Sequence, residues 1–163
     1  MRIFFLICGL FCVFNTGYAS ISYGNSKGNI IIDEYVDYNC PVCRAMMPVI
    51  SALAHQNTML EVNIKVVPIL APSSRLIDSA IIASMFQGKF APMQKRVLSL
   101  GNRELLTISQ IIHIGEDLAL NKNQWQQDLS SPILAKELQK NIDEYQKFHQ
   151  NKVPLLVLYK RNH

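Results

Sequence analysis

From Ile30 to Tyr38 the chain is almost unbroken in β-branched and aromatic residues, the composition of a strand. Alternation puts Ile30, Ile32, Glu34 and Val36 on one face and Ile31, Asp33, Tyr35 and Asp37 on the other. The period then changes. Between Pro41 and Gln56 the apolar residues Met46, Val49, Ile50 and Leu53 recur at helical spacing, and Pro41 suits a first helical turn, where a missing N–H costs nothing. Pro48 falls inside this segment. Either the helix stops near Met47 or, as the continuing apolar spacing favours, it runs on with a kink. Glu61 to Leu70 alternates again and predicts a second strand. A helix capped by Ser73 or Ser74 and stopped by Gly88 comes next, then one with Pro92 in its first turn reaching Leu100. Thr107 to Leu120 predicts a further helix ended by Asn121, followed by a short turn around Trp125. Ser131-Pro132 opens a long helix to about His149 with a charged outer face, and Leu155 to Tyr159 closes the pattern as an apolar strand.

The order is strand, helix, strand, a helical block of about eighty residues, strand. A plain crossover needs only a dozen or so residues, so the block is an inserted helical subdomain packed on a mixed α/β sheet.

The 163 residues fit one domain, and the net charge of +4 is mild and spread along the chain. No basic stripe with interleaved aromatics appears, so no nucleic-acid partner is expected. The start of the chain reads separately. Arg2, an apolar run from Ile3 to Phe14 and the small residues around Gly17-Tyr18-Ala19 form a cleavable export signal over residues 1–19, with an uncleaved anchor as the other option. Cys8 and Cys12 then serve as apolar filling in the signal. The exported domain, residues 20–163, keeps only Cys40 and Cys43, too few for a disulfide-stapled scaffold, and its expected location is periplasmic.

Those two form Cys40-Pro41-Val42-Cys43, at the junction of the first strand and first helix. A cysteine placed at a helix N-terminus meets unpaired backbone N–H groups and the positive end of the dipole, which favour the thiolate that attacks disulfides. Cys40 is expected to be the exposed nucleophile, and Cys43, one turn in, to be buried and to resolve the mixed disulfide. The competing metal reading lacks ligands: no second Cys pair or His pair stands at ligand spacing, and His55, His113, His149 and His163 are scattered. Neither a metal nor another cofactor is expected. Trp125 and the pair Met46-Met47 read as packing residues.

Glu34 to Cys43, with its acidic residue six positions before the first cysteine and its Cys-Pro-x-Cys form, resembles the active-site segment of the DsbA-like thiol–disulfide oxidoreductases. Pro48, the helical insertion (residues 73–150) and Val153-Pro154 before the last strand fit the same family. The resemblance implies a thioredoxin-like fold and a disulfide exchange activity. It makes Cys40, Cys43 and Glu34 catalytic, with Glu34 passing a proton to or from Cys43. A carboxyl on a face shared with Ile32 and Val36 is expected to be partly buried with a raised pKa, unless Glu34 is edge-exposed and idle. It also implies a cis Val153–Pro154 bond, with trans as the ordinary option for a proline at a strand start. Pro41, Val42, Val153 and Pro154 would then line the site for extended or unfolded client proteins carrying cysteine, and a membrane redox partner would recycle the pair. The strongly oxidising relatives carry His at the position of Val42, so a milder oxidant is expected here.

The family pattern continues with another strand and helix that this sequence lacks, so the fold is expected to be C-terminally truncated. Three options stay open: low stability, a homodimer through the last strand's edge, or a partner supplying the missing strand. In function, the alternatives to an oxidase are an isomerase or reductase running the same chemistry. A redox-inactive chaperone that holds extended segments at Val153 and Pro154 is the rival from another class.

Overall fold

The computed structural model of the protein describes residues 21–161; the expected export signal over residues 1–19, with Cys8 and Cys12, lies outside the described residues. Four strands form one sheet: β1 (Ser22–Gly24), β2 (Ile30–Val36), β3 (Leu60–Val66) and β4 (Leu155–Lys160). Their order is β1-β3-β2-β4. β2 and β3 are parallel, from Ile30 opposite Leu60 to Val36 opposite Val66. β1 runs antiparallel to β3, and β4 antiparallel to β2. The parallel pair needs a crossover, and α1 (Pro41–Gln56) supplies it. Between β3 and β4 come α2 (Ser74–Ala83), α3 (Phe90–Ser99), α4 (Ile108–Asp117), α5 (Lys122–Asp128) and α6 (Pro132–Gln146).

The alternation read in β2 sets the layers. Ile32 packs with Ile50 and Ala54 of α1, whereas Tyr35 packs with Tyr145 of α6 on the opposite face. Val36 joins the largest core, which includes both cysteines, Met47 and the inner faces of α2 to α6. α1 continues through Pro48, as the apolar spacing favoured.

Several boundaries differ from the sequence expectation, each for a local reason. β1 was not anticipated; at three residues it carries no readable period. β2 stops at Val36 because the next backbone donors leave the ladder: the Tyr38 N–H is taken by Asp78 and the Asn39 N–H by Asp37. β3 stops at Val66 for the matching reason, since the N–H groups of Ile69 and Leu70 donate to the Asp37 carboxylate. α2 tightens into a 3-10 turn over Ser84–Gln87, and Gly88 ends it at φ 67°, where glycine is favoured. Ser73 makes no side-chain cap; Ser74 Oγ instead accepts from the Ala71 N–H. The segment around Trp125 is a helix, not a turn, because Asn121 caps it by accepting from the Gln124 N–H. α6 ends at Gln146, short of His149, which adopts φ 51°.

Candidate active site

The site is built where β2 hands over to α1. Cys40 is the N-cap of α1, and its Sγ accepts from the Cys43 N–H at 3.5 Å. A sulfur in this position satisfies one of the donors a helix start leaves open, and the favourable end of the dipole points at it. On its other side the thiol donates to the Val153 carbonyl at 3.7 Å. The expected exposure of Cys40 is corrected here: the residue is only 4% exposed, and the chain before β4 lies against its sulfur. Cys43 is fully buried, as expected. Burial pushes its thiol pKa up, opposed by a backbone hydrogen bond from Asp37 and reinforced by the neighbouring Cys40 sulfur. Both cysteines are free thiols.

Around the sulfurs, Pro41 is half-buried and Val42 stands out at 61% exposure. Val153 and Pro154 are half-buried, and the peptide bond between them is cis. Three of the residues singled out from sequence thus meet at one place: Cys40, Cys43 and Val153.

Glu34 is also on the face that α1 covers, and it is completely buried rather than partly so. Its Oε2 accepts from the Tyr23 hydroxyl at 2.7 Å, and its Oε1 has no partner among the described residues. Burial raises the carboxyl pKa, and the Tyr23 hydrogen bond lowers it by a smaller amount. Tyr23, brought in by β1, has its own phenol pushed upward by burial and by the Glu34 carboxylate. No hydrogen bond joins Glu34 to either sulfur among the described residues.

The turn that carries Cys40 is fixed by polar residues that sequence reasoning missed. Asp37 binds three backbone donors, those of Asn39, Ile69 and Leu70. Asn39 donates to Ser73 and Ser74 and accepts from the Leu106 N–H. Asp78 of α2, wholly buried, accepts from the Tyr38 N–H at 3.0 Å, and burial beside Asp37 raises its pKa well above the usual carboxylate range. Arg44 is 3% exposed. Its guanidinium donates to the carbonyls of Tyr38 (2.8 Å), Asn39 (3.0 Å) and Gly101 (2.9 Å), and also to that of Glu104. Burial lowers its pKa, and the sulfurs of Cys40 and Cys43 and the Asp37 carboxylate oppose that. One signal was available for Asp78: it lies among Ile77, Ala80 and Ile81, on the apolar stripe of its helix. Among the described residues no group of three or more His, Cys, Asp or Glu side chains is placed to hold a metal.

A cap cysteine, a buried second cysteine and a proline loop across the first sulfur, on a β1-β3-β2-β4 sheet, form a recognisable whole. The family model described as thioredoxin matches residues 16–163. The chain belongs to the thioredoxin family. No curated protein sequence matches it. Among solved structures, a thioredoxin-like oxidoreductase from Silicibacter pomeroyi DSS-3 is similar at 24% identity and a TM-score of 0.76, over 85% of this chain and 79% of that one. The thiol-disulfide exchange protein alpha-DsbA2 from Wolbachia pipientis is similar at 16% identity and a TM-score of 0.74, over 88% and 77%. The catalytic domain of Proteus mirabilis ScsC is similar at 21% identity and a TM-score of 0.71, over 88% and 79%. These likenesses establish the DsbA-like form of the thioredoxin fold, with its helical block between the strands.

Proposed function

We propose that this thioredoxin-family protein is an exported thiol–disulfide oxidoreductase working through the Cys40–Cys43 pair. The observation that carries the proposal is the N-cap position of Cys40, with its sulfur on the Cys43 N–H and beneath the Val153 carbonyl. In the oxidising direction a client thiolate attacks Sγ of Cys40 in the disulfide form. The Cys40–Cys43 bond breaks, a client–Cys40 bond forms, and Cys43 leaves with the electron pair and takes up a proton. A second client thiolate then attacks the client sulfur of the mixed disulfide and expels Cys40 as a thiolate. The client is oxidised by two electrons and the pair is reduced. The raised pKa of Cys43 suits a sulfur that is protonated as it leaves. Glu34, buried with a raised pKa, is the proposed proton donor, with Tyr23 holding one of its oxygens.

Clients are extended segments carrying cysteine, which lie against Pro41, Val42, Val153 and Pro154. A membrane-bound redox partner recycles the dithiol, and residues 1–19 direct export. Among the described residues no helix is long and apolar enough to cross a membrane. The reverse direction, reduction or isomerisation, uses the same atoms and differs only in which partner sets the redox state.

Refolding of reduced ribonuclease with a glutathione buffer, and insulin reduction, test the proposal together. Activity in either assay is expected, with loss of about a thousandfold or more in Cys40→Ser and accumulation of a client mixed disulfide in Cys43→Ser. A protein inactive in both assays that still prevents aggregation with both cysteines replaced is a chaperone, and the oxidoreductase assignment fails.

A further inference from the structure

We propose that Arg44 is a positioning residue that supplies the counter-charge for the Cys40 thiolate, and that it thereby makes the Cys40–Cys43 disulfide a stronger oxidant than the helix start alone would. The inference rests on the thiol–disulfide function proposed above.

Arg44 is a fixed charge in an enclosed place. It is 3% exposed, follows Cys43 directly in the chain, and all four of its hydrogen bonds go to neutral backbone carbonyls. Among the described residues no carboxylate stands within ion-pair distance of it. A buried guanidinium with neutral partners alone is costly unless an anion appears nearby. Two of the carbonyls it grips, those of Tyr38 and Asn39, are the ones that lead into Cys40. The anion formed when the pair is reduced therefore arises within one helical turn, in sequence, of a buried cation held by four hydrogen bonds.

Of the other charged groups around Arg44, Asp37 also acts on the guanidinium through its charge, but it makes no ion pair with it among the described residues. The carboxylate of Asp37 is already occupied by three backbone N–H groups. Asp78, from α2, faces the Tyr38 N–H, and Arg103 and Glu104 are exposed on the loop after α3. The remaining two carbonyls, of Gly101 and Glu104, tie that loop to the guanidinium and hold it away from solvent. Asp37 carries the same charge in both redox states, so the part of the Arg44 interaction that changes on reduction is the one with the sulfurs. In the disulfide form there is no negative sulfur to stabilise, so a cation there favours the reduced state and raises the reduction potential.

The test is the equilibrium of the full mature chain with glutathione at pH 7, for wild type, Arg44→Gln and Arg44→Lys. Arg44→Gln keeps an amide donor and loses the charge; the equilibrium should shift about tenfold toward the disulfide, a fall of about 30 mV. Arg44→Lys keeps the charge and should stay within about threefold of wild type. Equal shifts in the two variants, or no shift in either, would mean that Arg44 only braces the turn, and the inference falls. If Arg44→Gln does not fold, nuclear magnetic resonance on the wild-type chain decides. The Arg44 side-chain N–H signals of the reduced protein should move as pH is varied and stay still in Cys40→Ser; signals that do not move in wild type overturn the inference. A wild-type protein inert toward both thiols and disulfides would instead sink the functional proposal, a separate result.

Discussion

Asp78 and Glu34 are both fully buried, and each has one carboxyl oxygen bonded and one without a partner among the described residues. Burial raises the pKa of both. A raised folded-state value means that the native protein binds the proton more tightly than the unfolded chain does. The stability this contributes is complete below the unfolded carboxylate pKa and is lost as pH rises through the folded value. Asp78→Asn keeps an oxygen for the Tyr38 N–H and removes the charge, so it should melt roughly 3–6 °C above wild type at pH 7.5, with little difference near pH 4. Thermal melts at the two pH values check this; an unchanged pH dependence would show that Asp78 carries no such linkage. Val42 gives a second prediction. It is exposed beside Cys40, and Val42→His should move the glutathione equilibrium about tenfold toward the dithiol by adding a cation. At this scale the sequence was informative about the sulfurs and about Glu34, whose strand face could be counted. It was silent on Arg44 and Asn39. Besides the nearby carbonyls of Tyr38 and Asn39, their partners are carbonyls, hydroxyls and an N–H from Ser73, Ser74, Gly101, Glu104 and Leu106, which no local period encodes.

The inserted helices share one apolar core, and within it some backbones approach closely. Gly115 in α4 is the clearest case: a Cβ added there would lie 2.4 Å from the Trp125 ring of α5. That indole donates to the Ala80 carbonyl of α2 at 2.8 Å, so three helices meet on one side chain. Gly115→Ala should destabilise the protein by about 1–3 kcal/mol and shift Trp125 fluorescence to the red, as denaturant titration and emission spectra would show. At the start of α4, Thr107 and Gln110 form a reciprocal capping box, and Thr107→Ala should cost about 1 kcal/mol. Element types were largely readable because strand and helix periods differ. The helix around Trp125 was read as a turn since Asn121 fits equally well as the end of one helix and the cap of the next.

At the scale of the molecule, β4 lies at one end of the sheet, bonded among the described residues to β2 alone. Leu158 is 63% exposed there and Tyr159 43%, while the start of β4 is half-covered against α1 and α6. An apolar strand with one free edge is prone to pair with another chain. Leu158→Lys should lower concentration-dependent association in sedimentation velocity while leaving the melting temperature within about 2 °C; association unchanged by the substitution would place any contact elsewhere. The overall architecture could be anticipated because the helical block is far longer than a crossover requires. The way that block meets the redox turn could not, since it depends on single hydrogen bonds spanning up to 67 positions, as from Leu106 to Asn39. Those bonds bear on any attempt at miniaturisation. Asp78, Ser73, Ser74 and Leu106 all belong to the insertion, and each one grips the short stretch just ahead of the reactive sulfur. A version pared back to sheet and first helix would lose its scaffolding along with its bulk, and the motif could survive intact in sequence while the geometry that makes it useful disappeared.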